Sequence, residues 1–231
     1  MGTTIWNGVR ERVEALARAD RPRDVLGAWG RHGTAGHRFR LTAPLAESEV
    51  AAAEARWGVS LPADYRGFLL EVGAGGAGPQ YGLSTLHRTD TGWEWTDPGG
   101  DMRHDSLRVA FPTAGERSRH LAAHEVREPA RSGFGTQEAF DTAYRVWRDA
   151  DDDLFDWFAS GALCLNHAGC GHCHWLVVTG PERGSMWVDG FSDDGFRPLG
   201  TPGARVGFAD WYLSWLARCE AADPVARDPR P

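Results

Sequence analysis

The stretch from Leu61 to Leu83, LPADYRGFLLEVGAGGAGPQYGL, limits the fold more than any other part of the chain. Pro62 suits the first position of a helix, where no N–H is needed and φ is already set. Tyr65, Phe68, Leu69 and Val72 follow at i, i+3, i+4 and i+7, which is one apolar face of a helix. Gly73 stops that helix. Gly75, Gly76, Gly78 and Pro79 then make a tight turn, and Tyr81-Gly82-Leu83 resumes in extended form. A buried amphipathic helix thus hands the chain through a glycine turn into a sheet.

Gly73, Gly75 and Gly78 also spell the G-x-G-x-x-G of dinucleotide-binding proteins. That motif needs a strand before the glycines and a helix after them, so that the helix N-terminus meets the pyrophosphate. Here a helix precedes them and Pro79 follows. The pattern is read as a turn with left-handed backbone positions, and no nucleotide is expected.

On either side of this stretch the pattern is one of helices first and strands later. Val9, Val13 and Leu16 mark a short N-terminal helix ending near Asp20 to Pro22, and Trp29 anchors the segment after it. Ala46, Val50, Ala53 and Trp57 share a helical face that Gly58 closes. Trp93, Trp95 and Asp97 to Asp101 read as a long loop or hairpin. Leu107 to Phe111 reads as a strand, and residues 113–135 as polar loop. Thr136 caps a helix carrying Phe140, Ala143, Tyr144 and Trp147, which Asp149 and Asp151 to Asp153 interrupt. Ala162 to Leu165 is a short strand. Cys173 to Thr179 lacks polar alternation at its centre, so it is expected to be buried on both faces. Ser185 to Asp189 is its hairpin partner, and Phe196 to Leu199 is an edge strand, because Pro198 tolerates no central place. Phe208, Trp211, Tyr212, Trp215 and Leu216 mark a closing amphipathic helix. Segregated helices and strands give an α+β fold.

Charge and targeting narrow the function classes. The formal net charge is −7, which speaks against a general nucleic-acid binder with its basic footprint. It permits a basic partner, although a solvated acidic surface is the plainer meaning. No apolar run approaches the ~20 residues that a membrane span needs. The first residues lack a hydrophobic leader core, so a cytoplasmic setting with reduced thiols is expected.

The densest chemistry lies from Asn166 to His174. His167, Cys170 and Cys173 have ligand-like spacing, and His172 or His174 could complete a tetrahedral zinc set. Against this, neighbours on a strand point to opposite faces, which separates Cys173 from His174. Cys170 to His174 also spells a haem-attachment motif, which would require an oxidising, haem-loading compartment. A Cys–His nucleophile is conceivable, with no orienting third group evident. The reading adopted is a small-residue turn at the mouth of a core strand, with no metal, no cofactor and no catalytic residue. The alternative is a zinc-binding or thiol-dependent small enzyme using the His167–His174 cluster. Asp149 and Asp151 to Asp153 lack the spacing and the glycine of a calcium loop.

Leu61, Pro62, Tyr65, Phe68, Leu69, the glycines 75, 76 and 78, and Tyr81-Gly82-Leu83 resemble the signature of the SMI1/KNR4 family of the SUKH superfamily. Gly169 to Gly171, Trp175 to Gly180, Gly184, Trp187 and the Phe208, Trp211, Tyr212, Trp215 helix are similar to the later part of its bacterial members. The resemblance covers about residues 41–220. It implies a single α+β domain, preceded by a helical arm at 1–40, enlarged by an insertion near 87–135 and followed by a polar tail at 221–231. It further implies a non-enzymatic, cytoplasmic protein-binding module, an immunity protein that covers and neutralises a cognate toxin domain. Neither nucleic acid nor membrane is an expected partner. Trp93, Trp95 and the acidic run Asp149, Asp151, Asp152 and Asp153 are the expected contacts, since aromatics anchor interfaces and opposite charge speeds encounter.

Overall fold

The structure is a computed structural model that describes residues 4–19, 25–29, 36–96, 104–169, 171–190, 195–201 and 204–222. Helices α1 (Val9–Ala17), α2 (Glu47–Trp57) and α3 (Ala63–Glu71) come first, followed by the hairpin strands β1 (Thr85–Thr89) and β2 (Gly92–Thr96). Helices α4 (Ala114–Glu125) and α5 (Gln137–Phe158) flank a short 3-10 turn at Arg131–Gly133. Strands β3 (Ala162–Gly169), β4 (His172–Val177), β5 (Met186–Gly190) and β6 (Gly195–Pro198) then form an antiparallel sheet in that order, and α6 (Phe208–Ala221) closes the chain. The fold is α+β, with β6 and its Pro198 on an edge.

Each face of the four-stranded sheet has its own core, as the period-two alternation of strand side chains requires. Leu163, Leu165, Leu176, Val178 and Met186 join the buried faces of α1, α2, α3 and α6. Ala162, Cys164, Cys173, Trp175, Val177, Trp187 and Phe196 point the other way and pack with Phe111 and Phe158. Burial on both faces explains why β4 reads as an unbroken apolar run.

Helix α3 presents Tyr65, Phe68 and Leu69 to the first core, where Phe68 and Tyr65 meet Phe208 and Phe68 meets Tyr212 of α6. Helix α2 ends on Gly58 in the left-handed conformation, φ 63°. At the glycine turn, Gly76 has φ 100°, and a Cβ there would lie 2.5 Å from the carbonyl oxygen of Arg40. Only glycine admits this approach, which lets Gly76 bridge to Leu41 on one side and to Leu83 on the other. A helix leads into the glycines and no helix follows them, the reverse of the dinucleotide arrangement.

Three expectations are corrected. Leu107 to Phe111 is not a strand: it is a turn that buries Leu107 and Phe111 and leaves Val109 50% exposed, tied to the sheet by Phe111 N–H donating to Thr179 O. Much of 113–135 is helix, because Thr113 and Glu116 form a capping box: Glu116 N–H donates to Thr113 Oγ1 (3.3 Å) and Thr113 N–H to Glu116 Oε2 (2.8 Å). The aspartates at 149–153 do not break α5, which runs on for 22 residues to Phe158. Leu154, Trp157 and Phe158 pack against the second core, and that docking outweighs the weak helix propensity of aspartate.

Candidate functional site

The β3–β4 hairpin brings the histidine–cysteine cluster together in part. Its register pairs His167 with Cys173 and Asn166 with His174 across the strands. Cys173 Sγ lies 3.3 Å from His167 Nδ1, on the face of the second core. His174 lies on the opposite face, its Nδ1 2.8 Å from Asn166 Oδ1 and its ring against Trp211. Burial holds the His174 imidazole at a pKa of about 4, so it is neutral near neutral pH. His172 turns away, with Nδ1 2.9 Å from the backbone oxygen of Asp189. Among the described residues, no group of three or more His, Cys, Asp or Glu side chains is placed to hold a metal. Cys170 lies outside the described residues.

Asp189 looks at first like the missing third group, since it stands beside Cys173 on β5. Its carboxylate is otherwise occupied. Oδ1 accepts from Cys173 N–H (2.6 Å) and Oδ2 from Trp175 Nε1–H (2.9 Å). Burial pushes its pKa up, and these two donors oppose the shift. The carboxylate therefore braces β4 against β5, and Cys173 itself is 8% exposed.

The expected contact residues divide. Trp93 and Trp95 are on β2 but face inward, at 9% and 3% exposure, so they are core rather than surface anchors. Trp95 Nε1 donates to Tyr65 Oη (2.9 Å), and the Trp93 carbonyl accepts from Trp57 Nε1 (2.8 Å). The apolar share of a hairpin this small has to pack on α2 and α3, which decides the direction of both indoles. Asp149 and Asp153 are exposed on α5. Asp151 and Asp152 lie on the same helix, with side chains outside the described set.

The unit carrying these aspartates is a helical hairpin that the sequence reading missed. Arg117, at the start of α4, is buried with its guanidinium 4.9 Å from the Phe111 ring and 4.5 Å from the Trp187 ring, and it donates to Pro112 O. Phe155 rests on Trp175 and Phe196 at the other end. Between these anchors the helices hold each other. His120 stacks on Trp157 (4.1 Å), His124 on Trp147 (4.7 Å), and Trp147 Nε1 donates to His124 O (3.1 Å). The Thr113-x-x-Glu116 box was the sequence signal that could have located α4.

A family model described as the SMI1 / KNR4 family (SUKH-1) matches residues 44–197. The chain belongs to the SMI1/KNR4 family. Searches of curated proteins and of solved structures give no significant match. The SMI1/KNR4 match runs from just before α2 to β6 and contains the α4–α5 hairpin, the β3–β4 cluster and the glycine turn. It stops short of α1 and α6, although both complete the first core. Among the described residues, no helix is long and apolar enough to cross a membrane.

Proposed function

We propose that this SMI1/KNR4 protein is a non-enzymatic binding module of bacterial immunity type, acting in the cytoplasm by covering the active site of a cognate toxin domain. The observation that carries this reading is the family match across residues 44–197. The net charge of −7 supports it, because a surface of one sign speeds encounter with a partner of the other. Asp149, Asp151, Asp152 and Asp153 are the proposed contacts, and Trp93 and Trp95 serve the first core instead. The test is co-expression with the toxin domain encoded by the adjoining gene. Growth rescued by the wild-type chain, with a purified one-to-one complex, is the expected result. Growth arrest unrelieved by the chain would sink the reading.

The 3.3 Å contact between Cys173 and His167 supports a second reading, thiol chemistry at the β3–β4 hairpin. It predicts an activity lost in Cys173→Ser with the fold intact. The immunity reading predicts full protection by the same variant.

A further inference from the structure

We infer that the outward face of the α4–α5 hairpin is the docking element, and that its occupant is a protein surface with an apolar centre beside a basic rim. This rests on the binding-module reading above and names the contact and the chemistry of the partner.

The hairpin is built to project. From residue 118 to residue 157 no described side chain is buried, although both ends are pinned to the second core. Its inward sides are used by the two histidine–tryptophan stacks. Its outward sides leave Leu121, Val126 and Val146 at 36%, 87% and 66% exposure. Scattered apolar residues are ordinary on a surface. Here they share one element with a run of carboxylates on α5. Val146, Asp149 and Asp153 follow at i, i+3 and i+7, so one stripe of α5 passes from an apolar side chain to carboxylates.

Those carboxylates are placed against the local stability of the helix. Asp149 and Asp153 are an i, i+4 like-charge pair, which is mildly unfavourable. Among the described residues neither makes an ion pair. The helix ends at Phe158 with no basic residue in its last turn, so the acids lean toward the negative end of its dipole. A partner that brings arginine or lysine relieves both terms at once, whereas an acidic or neutral surface relieves neither. Arg145 and Arg148 precede the acids on the same helix. These two arginines set a positive step before the acids, against which a basic rim finds its register.

The experiment measures binding of the purified toxin domain from the adjoining gene to the full chain by calorimetry, at low and at high salt. The variants are Asp149→Arg/Asp153→Arg, its mild counterpart Asp149→Asn/Asp153→Asn, and Val146→Asp. Glu11→Arg on the exposed side of α1 is the control for net charge. We expect the arginine pair to weaken binding by at least about tenfold and to flatten its salt dependence. The asparagine pair should fall between it and the wild type, and the control within about twofold of wild type, as rim charges far from a contact do. All these positions are exposed, and the asparagine pair serves if the arginine pair fails to fold. Wild-type binding that none of the hairpin variants changes overturns this inference and leaves the immunity reading standing. A wild-type chain that does not bind, or the lack of an adjoining toxin gene, removes both.

Discussion

Trp95 Nε1 donates a 2.9 Å hydrogen bond to Tyr65 Oη inside the first core, joining the β1–β2 hairpin to helix α3. Both residues are buried, and burial raises the Tyr65 phenol pKa well above its ordinary value. Tyr65→Phe keeps the ring and strands the indole N–H. The expected cost is about 1–3 kcal/mol, the penalty for a buried donor left unmade. Denaturant unfolding should show a lower midpoint with the slope unchanged. Adding Trp95→Phe should cost less than the sum of the two single changes, because the stranded donor is then gone.

Two histidines, the buried His174 and the half-buried His37, set an acid limit. His174 and His37 are each held at a pKa of about 4 by burial, below the 6.5 of a free imidazole. Between these values the unfolded chain binds more protons than the folded one, so stability rises with pH there. The contribution is complete above about pH 6.5 and is progressively lost as pH falls to about 4. Each group amounts to a few kcal/mol at most, on the order of 3. Urea midpoints measured across this range should drop for the wild type. The drop should shrink in His174→Gln, compared with the wild type at each pH. An unchanged pH slope in that variant would contradict the burial account.

Gly76→Ala is expected to be severe. The new methyl group meets the Arg40 carbonyl at 2.5 Å, on a backbone with φ 100°. Strain of this kind costs about 3 kcal/mol or more once the clash is added. Gly133, which has nothing within 4 Å of an added Cβ, is the matched control, and Gly133→Ala should be nearly neutral. Thermal melts of the two variants check the difference.

Thr113→Ala tests the independence of the α4–α5 hairpin. It removes the side-chain cap of α4 at a cost of about 1 kcal/mol. Amide exchange should quicken along α4 while α3 and α6 keep their protection, because the projecting hairpin opens without the main core. Uniform quickening across the chain would show that the hairpin and the core open as one.

How much of this was legible depended on how directly burial follows from local pattern. Helices α3 and α6 announce themselves, since Phe68, Leu69, Tyr212 and Trp215 recur at helical spacing and all are buried. Strand β4 does so through its unbroken apolar run, and Gly58 and Pro198 mark a cap and an edge for reasons of backbone geometry alone. Leu107, Val109 and Phe111 alternate like a strand, but among the described residues no strand ladder joins them to the sheet: Phe111 N–H donates to the Thr179 carbonyl and Thr179 Oγ1 to the Leu107 carbonyl. Helix α4 buries one side chain, Arg117, so it carries no apolar stripe to read. The persistence of α5 through its aspartates depends on Phe158 and Trp157 finding a sheet that follows them in the chain. The inward turn of Trp93 and Trp95 likewise depends on Trp57 and Tyr65. In the site, spacing suggested a tetrahedral set of four ligands; strand alternation sends His174 to one face and Cys173 to the other.

The pairing of the first helix with the last has a consequence for synthesis. Arg12 of α1 grips Glu220 of α6 at 2.7 Å, and Tyr212 reaches Ala77 O at 3.0 Å. A ribosome must therefore deliver α6 before the larger apolar interior can shut. Until then one side of the nascent sheet stays wet and sticky, and a message cut short before α6 yields a product fit for proteolysis rather than for duty.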